Sequence, residues 1–307
     1  MSAERVDLRV QVGPLELPSP LLVASGTFGF GQEYAQYVDL GALGGIMTKA
    51  VTIAPREGNP GPRVWETSAG MLNSIGLQNP GLDTVIAEKL PFLIELGVPI
   101  IVNIAGETIA EYATLAQRLG EVEGLAALEV NVSCPNVDRG GMEFCREIPV
   151  LRELVAAVRD ETELPLIVKL SPNVGDVVPT AEAALEGGAE VVSMINTLVG
   201  MAIDAVRRRP RLAHVTGGLS GPAVKPIALA MVWRVWRALQ CPVIGMGGIF
   251  TGEDAAEFLL AGASAVAVGT ASFVDPTSAQ RVREELVEFC CGQGVETVRE
   301  LTGSLRV

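Results

Sequence analysis

The sequence predicts an α/β fold, a (β/α)8 (TIM) barrel with an N-terminal hairpin and insertions at the C-terminal face. Eight short apolar runs rich in Val and Ile recur along the chain, and segments with helical patterning follow them. The runs are continuously apolar, which is typical of parallel strands that are buried on both faces. Because 307 residues is an ordinary length for one such barrel, we expect a single domain over residues 1–307.

The eight predicted strands end in polar or glycine residues. In chain order they are Leu21–Ser25, Gly45–Lys49, Ile100–Ile104, Leu128–Val132, Leu166–Leu170, Val191–Ile195, Val243–Met246 and Val266–Gly269. Pro99, Pro165 and Pro242 precede three of these runs, and the start of a strand is where proline is tolerated.

Helical patterns occupy the intervals between the strands. The stretch from Thr108 to Glu111 predicts a capping box at the start of the third helix. Apolar residues at 150, 151, 154, 155 and 158 form one stripe and predict the fourth helix. Residues 222–239 and 277–290 predict two later helices.

Three segments do not fit the repeat of strand and helix. Residues 6–18 predict a short hairpin that covers the bottom of the barrel. Residues 51–79 and 197–220 follow the second and sixth strands. Because a barrel carries its active site at the C-terminal ends of the strands, these two insertions belong to that end.

Composition and charge exclude several classes of function. The net charge of −13 argues against nucleic-acid binding, which needs a basic surface. The longest uncharged run, Phe258–Val274, is too short to span a membrane, and no signal sequence is recognisable. Five cysteines without a C-x-x-C motif predict neither disulfides nor a metal site in this chain. We therefore expect a cytoplasmic protein.

The residues at the strand ends predict a binding site. They are Ser25, Lys49, Asn103, Asn131, Lys169, Asn196, Gly247-Gly248 and Gly269-Thr270. A barrel directs such side chains into one mouth, and glycine loops after strands seven and eight are a common phosphate site. Lys169 is compatible with a Schiff-base lysine or with a cation that stabilises negative charge on a cofactor.

Cys134 is the candidate base or nucleophile. It follows the fourth strand beside a proline, and nearby lysine cations would favour its thiolate. We expect the other cysteines, at 145, 241, 290 and 291, to be small buried apolar residues. His214 is the only histidine in the sequence, and we assign it no role.

Several stretches of the sequence together form a recognisable set of motifs. They are Lys49-Ala50, residues 73–81 (NSIGLQNPG), residues 131–136 (NVSCPN), residues 168–173 (VKLSPN), residues 195–197 (INT), residues 217–222 (GGLSGP), Gly247-Gly248 and Gly269-Thr270. This set resembles the dihydroorotate dehydrogenase family, in particular the catalytic subunit of its NAD-linked (class 1B) members. Residues 200–204 and 217–229 carry the resemblance to the NAD-linked class. The resemblance covers nearly the whole chain.

The resemblance implies one FMN per chain and oxidation of (S)-dihydroorotate to orotate in de novo UMP synthesis. The FMN-binding residues it implies are Ser25, Lys49, Ala50, Asn103, Asn131, Lys169, Ile195, Gly221, Gly247, Gly248, Gly269 and Thr270. The substrate-binding residues it implies are Lys49, Asn73, Ser74, Ile75, Gly76, Leu77, Asn131, Asn196 and Thr197. Cys134 matches the catalytic base. Electrons would pass to NAD through a partner subunit that carries FAD and a 2Fe–2S cluster, in a heterotetramer built on a homodimer of this chain.

Other functions remain open at this point. A fumarate-using dihydroorotate dehydrogenase would need no partner subunit, and a dihydrouracil-type enzyme shares the cysteine loop. A Schiff-base lyase or aldolase would use Lys169 without flavin. A barrel without catalytic activity would serve only as an interaction subunit. Residues 197–220 and the Cys134 loop are the two candidates for a lid over the substrate.

Overall fold

The computed structural model describes residues 6–132 and 142–307. In chain order, the strands of this described part are β1 (Val10–Val12), β2 (Leu15–Leu17), β3 (Leu21–Val23), β4 (Gly45–Met47), β5 (Val64–Thr67), β6 (Gly70–Asn73), β7 (Ile100–Ile104), β8 (Ala127–Asn131), β9 (Leu166–Lys169), β10 (Val191–Met194), β11 (Leu198–Met201), β12 (Ile203–Asp204), β13 (Arg209–Pro210), β14 (Thr216–Ser220), β15 (Val243–Met246) and β16 (Ala265–Val268).

The same part of the chain forms helices α1 (Leu82–Thr84), α2 (Leu90–Glu95), α3 (Ile109–Gly120), α4 (Met142–Arg146), α5 (Ile148–Arg159), α6 (Val178–Glu186), α7 (Lys225–Leu239), α8 (Gly252–Leu260), α9 (Ala271–Val274) and α10 (Ser278–Gln293). A π-helical turn at Val85–Lys89 joins α1 to α2. Short 3₁₀ turns occupy Leu40–Ala42, Pro222–Val224 and Val298–Leu301.

The eight predicted strands form a closed parallel barrel, which confirms the predicted fold class. Around the barrel, β3, β4, β7, β8, β9, β10, β15 and β16 pair in chain order, and β16 pairs with β3 to close it. Every residue of these strands is buried, as their continuously apolar sequences predict. The barrel therefore brings the C-terminal ends of all eight strands to one rim.

The helices begin largely where the sequence indicates. Thr108 caps α3 by accepting a hydrogen bond from the Glu111 backbone N–H at 3.2 Å. The second half of the predicted capping box is absent, because the Glu111 carboxylate accepts from the Glu107 N–H instead. On α5 the predicted stripe is buried at Leu151, Leu154, Val155 and Val158, whereas Val150 is only partly covered.

The N-terminal hairpin lies at the bottom of the barrel. Strands β1 and β2 pair antiparallel, with Val12 opposite Leu15. A Cβ atom at Gly13, in the turn, would lie 3.0 Å from Val191 Cγ2. Because Val191 is the first residue of β10, this contact places the hairpin at the N-terminal ends of the strands, as predicted.

The two insertions combine into one antiparallel sheet, which we call the roof sheet. Its strand order is β11-β14-β6-β5, so residues 197–220 supply one half and residues 51–79 the other. The two halves meet where Gly218 pairs with Asn73. The insertions were expected at the C-terminal face, but their union is a long-range pairing that the local sequence does not indicate.

Within the described ranges, no helix is long and apolar enough to cross a membrane.

Candidate active site

A cavity of about 630 Å³ lies between the C-terminal rim of the barrel and the roof sheet. A cavity of this size can enclose a cofactor together with a small substrate. The residues predicted from the sequence that line it are Ser25, Lys49, Ala50, Asn73, Ile75, Gly76, Leu77, Asn131, Lys169, Ile195, Asn196, Thr197, Gly221, Gly247, Gly248, Gly269 and Thr270. The fold thus brings these residues to one cavity, and their binding roles stay predictions.

Three predicted site residues are not part of the described lining. Asn103 and Ser74 are fully buried. Ser74 supports the loop beside it, since its backbone N–H donates to the Arg63 carbonyl at 2.8 Å and its hydroxyl accepts from Asn59. Cys134 lies outside the described residues. Asn103 and Ser74 thus lie behind the described lining, and their contacts with a ligand stay predictions.

Lys49 provides a half-buried cation at the cavity wall. It follows β4, and its backbone N–H donates to the Gly29 carbonyl at 2.9 Å. Burial lowers the pKa of its ammonium group, the positive charge of Arg63 lowers it further, and Glu33 opposes both effects. Two neighbouring cations make this wall suited to an anionic group such as a carboxylate.

Arg63 is a cavity residue that the sequence reasoning missed. Its guanidinium donates to the Gln78 side-chain oxygen at 2.7 Å and to the Asn59 carbonyl at 3.3 Å. These contacts hold it against the cavity near Lys49. Arg63 lies in an insertion rather than at a strand end, so only the folded roof sheet reveals its position.

Lys169 provides a second, deeper cation. Its side chain is nearly buried at the end of β9, and its Nζ lies 3.9 Å from Oε2 of Glu129. Glu129 was also missed. The available signal was a carboxylate in the middle of an apolar strand, two residues before Asn131 and therefore on the same face of β8.

The loops after β15 and β16 bring glycine residues to the cavity. Gly248 has a φ of 81°, and a Cβ there would lie 2.8 Å from the Gly221 carbonyl oxygen, so glycine is required for this close approach. The N–H groups of Gly248, Gly269 and Thr270 donate to no backbone carbonyl of the described residues. Free amides grouped in this way suit a phosphate.

Three further polar residues that line the cavity are held by hydrogen bonds to neighbouring residues. The Asn73 side chain donates to the Gly218 carbonyl at 3.3 Å. Asn196 accepts from the Thr197 N–H at 2.8 Å, and the Thr197 carbonyl accepts from Asn173 at 3.0 Å. These side chains present fixed donors and acceptors, which is what recognition of a planar heterocycle requires.

None of the cysteines among the described residues lines the cavity. Burial raises the pKa of the Cys145 thiol to about 12 and those of Cys241 and Cys290 to about 11. These three are buried as expected, whereas Cys291 is partly exposed, so the expectation of burial is wrong for it. His214 lies in the insertion at 197–220 and does not line the cavity.

Comparison with known proteins identifies relatives over the full length of the chain. The model of the dihydroorotate dehydrogenase family matches residues 7–290. A protein from Geobacter sp. (strain M21), named dihydroorotate dehydrogenase B (NAD(+)), catalytic subunit, is 51% identical over 99% of this chain and 100% of its own length. A protein of the same name from Geotalea uraniireducens (strain Rf4) is 54% identical over 97% of this chain and 98% of its own length.

A solved structure shares the fold. The crystal structure of DHODH from Eimeria tenella in complex with ferulenol superposes with a TM-score of 0.81. The alignment covers 97% of this chain and 88% of that chain at 24% identity. At this identity the likeness shows the barrel architecture alone.

Proposed function

The chain belongs to the dihydroorotate dehydrogenase family of oxidoreductases, and on that basis we propose that it oxidises (S)-dihydroorotate to orotate in de novo UMP synthesis. We further propose that it uses one FMN and passes electrons to NAD through a partner subunit. The observation that carries this proposal is one cavity lined by two lysines and by glycine-rich loops whose amides donate to no backbone carbonyl of the described residues.

The residues present fit FMN. Gly26 borders the cavity, and a Cβ there would meet no atom within 4 Å, so the wall at this point is open to a flat ring. The amides of Gly248, Gly269 and Thr270 would hold the phosphate. Ser25, Ala50 and Ile195 would lie along the ring system, with Lys169 at its electron-rich edge. Bound there, FMN supplies the acceptor for the hydride that leaves C6 of dihydroorotate.

The protein's own residues supply binding and proton transfer. Lys49 would pair with the substrate carboxylate, with Arg63 adding to the positive potential. Asn73, Asn131, Asn196 and Thr197 would satisfy the donors and acceptors of the pyrimidine ring. The Sγ atom of Cys134 would take the proton from C5, which leaves the C5–C6 double bond of orotate once the hydride has departed.

A partner subunit follows from the kind of relatives that match. They are named catalytic subunits, a name that implies a second component. We propose that this component carries FAD and a 2Fe–2S cluster, and that two copies of each chain form a cytoplasmic heterotetramer. Exposed apolar side chains on the roof side, such as Met201, Ile203 and Val206, support a protein contact there.

The test is an absorption spectrum of the purified chain followed by anaerobic addition of dihydroorotate. We expect a flavin spectrum that bleaches on addition, because hydride transfer reduces the ring. A flavin that does not bleach would refute the substrate, and a chain that cannot be reconstituted with FMN would refute the cofactor. Trapping by borohydride with a carbonyl substrate would instead favour the lyase alternative.

A further inference from the structure

Glu129 is a fully buried carboxylate that the proposed reaction does not use. It lies in the middle of β8, where its side chain points into the barrel on the same face as Asn131. Because residues two apart on a strand are separated by about 6.6 Å, Glu129 lies one layer below the cavity lining. A charge at this depth is costly unless the protein compensates it.

Residues on three neighbouring strands compensate the buried charge of the Glu129 carboxylate. From β7, the Asn103 amide donates to Oε2 at 2.5 Å. From β10, the Ser193 hydroxyl donates to Oε1 at 2.6 Å. From β9, Lys169 Nζ lies 3.9 Å from Oε2. Both oxygens accept, which is the pattern of a carboxylate anion.

The carboxylate held in this way pairs with Lys169, whose side chain is nearly as buried as that of Glu129. Among the described residues, Glu129 is the carboxylate that pairs with Lys169. Lys49, by contrast, lies near Arg63 and Glu33 at the more open wall. The floor of the cavity thus holds a cation with its own counter-ion, whereas the wall holds a cation available to an external anion.

We propose that Glu129 is a positioning residue that holds Lys169 at the cavity floor and offsets its positive charge, thereby lowering the reduction potential of FMN bound above it. The inference rests on the proposed flavin site. Reduction adds negative charge to the ring, so a buried carboxylate nearby opposes reduction and Lys169 favours it. The combined charges of Glu129 and Lys169, rather than the charge of Lys169 alone, would set the reduction potential of FMN.

The test compares the reduction potential of FMN in the wild-type protein with that in Glu129→Gln. Glutamine keeps the size and can pair with both Asn103 and Ser193, but it removes the charge. We expect the equilibrium constant for two-electron reduction to rise by about tenfold, which is about 30 mV for such a couple. Ser193→Ala is the matched control, since it removes a hydrogen bond to Glu129 but no charge, and it should leave the potential unchanged.

Glu129→Asp is the conservative variant, since it retains the negative charge. It should keep the reduction potential of FMN near that of the wild type. An unchanged or lower potential in Glu129→Gln would overturn the proposal, as would an equal shift in Ser193→Ala. A purely structural role would lower the thermal stability of Glu129→Gln without this charge-dependent pattern.

A second measurement does not depend on flavin. Thermal unfolding of the apoprotein is compared for Glu129→Gln, Lys169→Met and the double variant. Coupling of the pair predicts that the double variant loses less stability than the sum of the two single losses, because neither charge is then left unpaired. Additive losses would overturn the pairing.

Failure of the wild-type chain to bind FMN would refute the proposed function and with it the effect on the reduction potential. The comparison of unfolding temperatures still tests the Glu129–Lys169 pair, because it needs no flavin.

Discussion

At the scale of single residues, Lys49 and Lys169 show how position gives one residue type two roles. Both lie at the C-terminal ends of barrel strands, yet Lys169 is paired with Glu129 whereas Lys49 lies near a second cation, Arg63. A cation that is close to another cation gains most from binding an anion. Lys49 is therefore the residue whose removal should affect the substrate carboxylate most directly.

We predict that Lys49→Ala weakens orotate binding by about 10- to 100-fold, the usual range for loss of a charge-assisted hydrogen bond. The measurement is a titration of the flavin absorbance with orotate. Lys89→Ala is the control, because Lys89 bonds to Gln32 and does not line the cavity. Equal affinities in wild type and Lys49→Ala would remove Lys49 from the substrate site.

The lowered pKa of Lys49 predicts a pH dependence. Its ammonium group loses its proton at a lower pH than an ordinary lysine, because burial and Arg63 disfavour the charged form. Orotate affinity should therefore fall as the pH is raised toward that pKa. In Lys49→Arg the fall should move to higher pH, since a guanidinium stays charged. Any titration of orotate itself affects both proteins equally, so identical pH profiles would contradict the assignment.

Cys134→Ser should slow the reduction of bound flavin by dihydroorotate strongly near neutral pH, because a serine hydroxyl is far less ionised than a thiol at that pH and supplies far less of the deprotonated base. Stopped-flow absorbance in a single turnover measures this step directly. Cys291→Ser is the matched control, since Cys291 is a partly exposed thiol that does not line the cavity. Wild-type single-turnover rates in Cys134→Ser would dismiss the proposed base.

At the scale of elements, local sequence patterns were sufficient to predict the barrel strands but not the roof sheet. Each barrel strand is a predominantly apolar run, so its position could be predicted within about two residues. The pairing of β14 with β6 joins Gly218 to Asn73 across 145 residues of sequence, and no local pattern encodes it. Arg63 was missed for this reason. Glu129 was missed because the sequence reasoning did not consider a charged residue inside an apolar run as a site residue.

The packing of α7 against the turn after α8 provides a test of stability. A Cβ at Gly262 would lie 2.2 Å from Trp236 Cγ, and the φ of Gly262 is 114°. Gly262→Ala should therefore destabilise the protein by about 2 kcal/mol or more, through steric overlap and backbone strain. Gly292→Ala is the control, because Gly292 lies in α10 with open space around it and alanine favours a helix by about 0.5 kcal/mol or more. Chemical denaturation measures both, and equal midpoints would contradict the prediction.

At the scale of the whole molecule, the proposed reaction releases two electrons that must reach NAD. The sequence has no G-x-G-x-x-G after a strand and no cysteine pattern for an iron–sulfur cluster. In the ranges 6–132 and 142–307, no group of three His, Cys, Asp or Glu side chains is arranged to hold a metal ion. The relatives that match are named catalytic subunits, and this name implies a separate partner subunit.

We therefore predict that the isolated chain, loaded with FMN, oxidises dihydroorotate with an artificial dye as acceptor but does not reduce NAD. Addition of the electron-transfer subunit should restore NADH formation, because its cofactors would supply the path between the two sites. NADH absorbance and dye bleaching measure the two reactions, and mixtures without dihydroorotate provide the background. Rapid NAD reduction by the chain alone would contradict the need for a partner.

Stoichiometric reduction of fumarate by the chain alone would favour the partner-free enzyme instead, since fumarate can take electrons directly at the site where orotate leaves.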